Sequence, residues 1–286
     1  MSSSSIDPQS ATRRSQPAPL ARAVVHDRYD LTQVPKHPGV GWTRFVCISD
    51  NHSQFFHVPP GDVLLHAGDL CRRGTLRDLE ITTDWLKQLP HPTKFFMGGN
   101  HDICLDEQYG EGGTLRPYKP HNLNLQTNDI VAARNLVRSS AVRQAGMHYL
   151  EYDTATYTAK SGKTYTIYGS PAAPRFHSIG AFQYTHEEAR DVYARIPASI
   201  DILMTHAPPL GMCDMTKRGQ RAGCPTLAQR LIDDDLQSCR LHVCGHIHEA
   251  RGVAVVGQSA QNPDGRVCVN AALPSARLPI IVDLMD

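Results

Sequence analysis

The sequence predicts a layered α/β protein with mixed sheets, and three observations predict it. Short apolar, β-branched runs alternate with helical patterns from Thr43 onward. Such alternation is the mark of strands covered by helices. Two of the runs, in YLEYDTATYTAKSGKTYTIYGS, are joined only by Lys160, Ser161, Gly162 and Lys163. That spacing predicts a hairpin, so the sheets cannot be purely parallel. Finally, five runs stop at residues able to bind a metal: RFVCIS at Asp50-Asn51-His52, VLLHAG at Asp69, KFFMGG at Asn100-His101-Asp102, DILMT at His206 and LHVCG at His246-Ile247-His248. Ligands in open α/β sheets gather beyond the carboxyl ends of strands, where rigid elements aim side chains into one crevice.

In chain order, the strand candidates are RFVCISD, DVLLHAGD, KFFMGGN, HYLEYDTATY, KTYTIYGS, IDILMTHAPP, LHVCGHI, RVCVNAAL and PIIVDL. Each is short, rich in Val, Ile, Tyr, Phe or Leu, and bounded by Gly, Pro, Asn or Asp. Apolar periodicity predicts helices over 75–89, 128–142, 185–196 and 224–236. Thr185 followed by Glu188 has the spacing of a capping box, in which each side chain satisfies the other's backbone N–H. Residues 1–22 are rich in Ser, Pro and Arg and lack periodicity, so they read as a disordered tail ahead of a domain over 23–286.

Composition narrows the function. Hydrophobic residues are 41% and charged residues 20% of the 286, the balance of a globular chain. A net charge of +1 gives no bulk attraction for a nucleic-acid polymer or an anionic membrane. No apolar run approaches the roughly 20 residues that span a bilayer, and the first residues lack the apolar stretch of a secretory signal. The expectation is a cytoplasmic protein. Its eight cysteines contain no C-x-x-C pair and sit largely inside apolar runs, which reads as free thiols rather than a disulfide framework.

Singly, each motif is weak. With 15 histidines in the chain, about one His-x-His arises by chance. Gly-Asp after a strand is ordinarily a turn, and Asn-His-Asp can cap a helix. Together, at five successive strand ends, they form a ligand set of imidazole, carboxylate and one amide oxygen. That chemistry suits Mn, Fe or Zn. Seven ligands exceed one mononuclear site, whereas two metals about 3.5–4 Å apart can share a carboxylate, clamp an in-line displacement and lower the pKa of a bridging water.

The order D-x-H, G-D, G-N-H-D, H, G-H-x-H resembles the calcineurin-like metallophosphoesterase superfamily over roughly residues 43–286. PPGDVLLHAGD, IDILMTHAPPLG, LHVCGHIHE and PIIVDL resemble its metallophosphoesterase-domain-containing branch, the UPF0046 or 239AB group. The resemblance implies a four-layer α/β/β/α sandwich with two mixed central sheets. It also implies that Asp50, His52 and His248 hold one metal, that Asn100, His206 and His246 hold a second, and that Asp69 bridges them, with Mn the favoured ion. His101 would meet the substrate and help protonate the leaving oxygen, and Asp102 would orient His101 through its other ring nitrogen. Arg73, in GDLCRRG, stands where the superfamily's protein phosphatases bind phosphate; Arg175 and His177 are further substrate-contact candidates. The segment Ala172–Phe176 lacks the Trp that this branch tends to carry near the substrate.

The implied reaction is hydrolysis of small phosphodiesters of the cyclic-nucleotide type by a metal-bridging hydroxide. The competing readings are a phosphomonoesterase or protein phosphatase, a di-metal enzyme of a specialised biosynthetic pathway with a non-nucleotide substrate, and a metal-bound scaffold without turnover. No peptide-docking insert supports the phosphatase reading. The filled ligand positions and the intact His101-Asp102 pair weigh against the scaffold.

Overall fold

A computed structural model describes residues 20, 22–109, 125–175, 180–233, 236–257 and 265–286. Two six-stranded sheets form the centre. The first runs in the order β1 (Ala23–His26), β14 (Ile280–Met285), β2 (Trp42–Ile48), β3 (Val63–His66), β4 (Thr93–Met97) and β5 (Met147–Leu150). The second runs in the order β12 (Gly252–Val256), β13 (Arg266–Asn270), β11 (Leu241–Cys244), β10 (Ile202–Thr205), β7 (Thr164–Ser170) and β6 (Asp153–Thr158). Each sheet is parallel in its centre and antiparallel toward at least one edge. A further pair, β8 (Ala173–Pro174) with β9 (Gln183–Tyr184), is parallel.

The inner faces share one core, in which Phe45, Leu65 and Phe95 of the first sheet meet Ile167, Met204 and Val243 of the second. The outer face of the first sheet packs on α1 (Leu76–Gln88), α2 (Thr127–Val137) and α3 (Ser140–Gln144) through Leu79, Leu86, Ala133 and Val142. The outer face of the second packs on α4 (Ala189–Ala194) and α5 (Pro225–Ile232) through Tyr193, Leu227 and Leu231. The fold is the mixed α/β sandwich that the sequence implies. Central strands covered on both faces are buried at every position, as β3, β10 and β11 are, so their sequences are mostly apolar and their polar members, His66, Thr205 and His242, are hydrogen-bonded.

Several elements differ from their sequence expectation. The run HYLEYDTATY is two strands in different sheets: the chain passes from β5 to β6 at Glu151-Tyr152, where Tyr152 takes a φ of 53°. The helix expected over 128–142 breaks at Ser139, whose hydroxyl accepts the N–H of Val142 and starts α3. The helix expected over 185–196 is regular only from Ala189; Glu188 still reaches back to the Thr185 N–H at 2.7 Å. Packing also begins ahead of the expected boundary at 23, because Leu20 lies against the inner core and the Arg22 carbonyl accepts from Arg240 at 2.8 Å.

Candidate metal centre

Loops at the carboxyl ends of β2, β3, β4, β10 and β11 meet at one place. Neighbouring loops of one sheet are tied by backbone bonds, Asp50 N–H to the Gly68 carbonyl at 2.9 Å, His52 N–H to the Asp69 carbonyl at 3.1 Å, and Gly245 N–H to the His206 carbonyl at 2.9 Å. The two sheets are joined where the His246 N–H donates to the Asp50 carboxylate at 3.1 Å. Asp50, His52, Asp69 and His246 all hold positive φ, at 58°, 47°, 55° and 68°. Side chains other than glycine seldom adopt this left-handed conformation, which costs of order 1–3 kcal/mol each and persists where the surroundings impose it. The glycines of the motifs serve close approach. A Cβ at Gly99 would lie 2.5 Å from Asp69 Oδ1, and one at Gly245 would overlap the Asp50 carboxylate.

The side chains fall into two sets. Ligand atoms of Asp50, His52, Asp69 and His248 all lie within 4.8 Å of one another. Here His248 Nε2 is 3.2 Å from Asp50 Oδ1 and 3.3 Å from His52 Nε2. In the second set, Asn100 Oδ1 sits 2.9 Å from His206 Nε2 and 2.7 Å from His246 Nδ1. Asp69 touches both: Oδ2 is 3.8 Å from His52 Nε2 and Oδ1 is 3.3 Å from His206 Nε2.

Backbone carbonyls fix the ring tautomers. His52 Nδ1 faces the Cys71 carbonyl at 3.1 Å and His206 Nδ1 faces the Ala67 carbonyl at 2.9 Å. A carbonyl only accepts, so Nδ1 carries the proton and Nε2 offers its lone pair to the site. Burial disfavours charge on Asp50 and Asp69, yet His248 pulls the first and His206 the second below the ordinary carboxylate value. Burial and the neighbouring His206 push His246 down to about 4. Burial also opposes a charged His206, but Asp69 overrides it and draws the ring up to about 9. The site thus concentrates lone pairs and negative charge around His206, and a cation placed there would replace that proton. Converging imidazole nitrogens, carboxylates and one amide oxygen fit transition metals such as Mn, Fe or Zn.

The seven sequence-predicted ligand candidates therefore come together, and His101 stands beside them, its ring centroid 4.6 Å from that of His52. Asp102 does something other than expected. Its buried carboxylate accepts three backbone N–H groups, from Cys71 at 2.7 Å, Gly99 at 2.7 Å and Leu70 at 3.1 Å. The group on His101 Nδ1 is instead the Arg72 carbonyl, at 3.3 Å. The Asp102 oxygens instead join the Asp69 loop to the Asn100 loop. Burial and the Asp69 charge raise its carboxyl to about 6. Arg73 is exposed, and it is its backbone N–H that bonds, to Asp78 at 2.8 Å. Arg175 is exposed, with its N–H on the Tyr184 carbonyl at 2.9 Å. His177 lies outside the described residues.

Sequence reasoning missed two supports. Asn51 accepts from His66 Nε2 at 3.0 Å and donates to the Gln54 carbonyl at 3.1 Å, bracing the first ligand loop. Asn270 donates to the carbonyls of Cys213 at 3.1 Å and Ile247 at 3.0 Å, bracing the last. Its signal was visible: RVCVN is another apolar run ending in a polar residue. His66 and His242 are buried hydrogen-bonded core residues.

Comparison with known proteins agrees with this geometry. The family model for calcineurin-like phosphoesterases matches residues 43–250. Metallophosphoesterase domain-containing protein 1 of Homo sapiens is 33% identical over 258 residues, covering 87% of this chain and 73% of that protein. A UPF0046 protein of Caenorhabditis elegans is 30% identical over 260 residues, covering 84% and 80%. A probable rhamnogalacturonate lyase C of Emericella nidulans is 34% identical over 213 residues, covering 74% of this chain but 18% of that much longer protein. By its fold, its ligand cluster and these matches, the chain belongs to the calcineurin-like phosphoesterase family, in the branch of the metallophosphoesterase domain-containing and UPF0046 proteins.

Proposed function

We propose that this chain hydrolyses small phosphodiesters at a dinuclear metal centre. The observation that carries the reading is the position of Asp69, whose two oxygens face His52 at 3.8 Å and His206 at 3.3 Å. One carboxylate addressing two imidazole sets is the arrangement of a bridge. Asp50, His52 and His248 would hold one metal and Asn100, His206 and His246 the other, with Mn favoured. Bound there, the pair supplies charge to clamp a phosphoryl group and lowers the pKa of bound water. The carbonyl of Arg72 accepts a hydrogen bond from His101 Nδ1–H at 3.3 Å. Nε2 is then the atom that faces the leaving oxygen, and it passes a proton there only from the doubly protonated ring, which returns to the neutral Nδ1–H form. Asp102 positions both loops from beneath and does not meet the substrate.

The net charge of +1 supports a small-molecule partner rather than a nucleic-acid polymer. No described helix is long and apolar enough to cross a membrane. All eight cysteines are unbridged, which fits a reducing compartment such as the cytoplasm. The test is turnover by metal-free protein reconstituted with Mn. Bis(4-nitrophenyl) phosphate is expected to be cleaved with higher kcat/KM than 4-nitrophenyl phosphate, and neither should turn over before metal is added. Preference for the monoester, or metal-independent rates, contradicts the reading.

A further inference from the structure

Beside the ligand turn lies a cavity of about 500 Å³ with no part in holding metal. That volume is in the range of small-molecule sites, roughly 300–1,000 Å³. One wall is Glu249 and Ala250, which share a single 3-10 turn, His248–Ala250, with a proposed metal ligand. A second is the start of β12, Val253 and Ala254. The third is the loop after β10, with Cys213, Met215 and Lys217.

This loop is fastened to the ligand turn. Buried Asn270 joins the carbonyls of Cys213 and Ile247, and the Lys217 N–H donates to Glu249 at 3.0 Å. The cavity therefore keeps a fixed place relative to His246 and His248. Its charges are offset internally. Arg221 pairs with Asp214 at 2.7 Å, and the Glu249 carboxylate accepts the Lys217 N–H at 3.0 Å, on the same residue that carries the Lys217 ammonium. What remains for an occupant is an apolar surface of Cys213, Met215, Ala250, Val253 and Ala254. Met215 is 41% exposed, and its flexible thioether can adapt to a flat group.

We propose that this pocket is a specificity subsite that receives an uncharged aryl or heteroaryl group carried by the phosphoester. The proposal rests on the phosphodiesterase reading above. It assigns the non-leaving side of the substrate to β12 and the loop after β10.

Two diesters with the same leaving group decide it: methyl 4-nitrophenyl phosphate and 1-naphthyl 4-nitrophenyl phosphate, assayed on metal-loaded protein. In Ala254→Phe, which fills the pocket, the naphthyl-over-methyl ratio of kcat/KM is expected to fall about tenfold or more, the scale on which pocket shape discriminates apolar groups. Met215→Glu, at an exposed position, should lower the same ratio by placing a charge on the apolar wall, and it serves if Ala254→Phe does not fold. An unchanged ratio in the folded variants overturns the subsite. If wild-type protein cleaves neither diester, the phosphodiesterase reading fails. The pocket is then judged by fluorescence titration with 1-naphthyl phosphate. Tight binding to wild type that weakens in the variants upholds the pocket, and equal binding, or none to wild type, overturns it.

Discussion

The backbone N–H of His101 donates to Oδ1 of Asp69 at 2.8 Å. The residue proposed to serve the substrate is thereby fixed to the carboxylate proposed to serve two metals, while its side chain points elsewhere. Its ring is exposed and touches His52 edge-on. Backbone and side chain of His101 thus have separable roles.

Replacing that side chain should spare the centre. His101→Ala keeps the N–H on Asp69, so metal content and melting temperature stay near wild type. A positioned acid contributes about 10²- to 10⁴-fold, so turnover should fall by that order. The loss should shrink for nitrophenyl leaving groups, which need little protonation. Full rate on a poor leaving group rules this role out.

Asp102→Ala should behave in the opposite way. It strands three buried N–H groups at Leu70, Cys71 and Gly99. Each unsatisfied buried donor costs about 1–3 kcal/mol, so the variant should lose several kcal/mol of stability and bind metal weakly. Chemical denaturation with metal titration checks this. A variant as stable as wild type with slow turnover alone would return Asp102 to the orienting role expected from sequence.

The contrast between those neighbours shows what was legible beforehand. Strand-end positions of Asp50, Asp69, His206 and His246 could be read because buried parallel strands are continuous apolar runs that a ligand visibly interrupts. The motif order located all seven ligand candidates for the same reason. The partner of Asp102 could not be read, because it depends on which backbone N–H groups the folded loops present, and N–H groups carry no sequence signal. The crossing from β5 to β6 was hidden because Glu151 and Tyr152 do not interrupt the strand-like pattern. Strands β1 and β12 are four- and five-residue sheet edges, AVVH and GVAVV, too short to stand out from loop sequence.

Gly99→Ala tests the close packing behind the ligands. The added methyl would lie 2.5 Å from Asp69 Oδ1 and 2.6 Å from His206 Cε1. Overpacking of this kind costs about 1–3 kcal/mol and displaces both ligands. Calorimetric titration with Mn should show weaker binding at both sites. Wild-type affinity would mean that the two loops are not in contact as described.

A buried ion pair far from the centre gives a pH prediction. Arg44 Nε and Nη2 donate to the two oxygens of Asp283, each at 2.8 Å, across β2 and β14. Burial opposes the Asp283 charge, but Arg44, with His26 beside it, holds the carboxyl below its ordinary value. A depressed carboxylate stabilises the fold above its unfolded pKa, about 3.9, and that contribution fades as pH falls. Asp283→Asn leaves the Arg44 charge buried and unpaired, and should cost about 3–5 kcal/mol at neutral pH. Thermal unfolding from neutral pH downward should show the gap between variant and wild type narrowing below about pH 4. A gap independent of pH contradicts the assignment.

The central claim is that Asp69 holds two metals, and elemental analysis of metal content per chain tests it most directly. Wild-type protein, stripped and reloaded with Mn, should retain two ions per chain after dialysis. Asp69→Ala, which leaves two cations close together without the carboxylate between them, should retain fewer than one. A wild-type protein that saturates at one ion, or an Asp69→Ala variant that keeps two, contradicts the dinuclear centre.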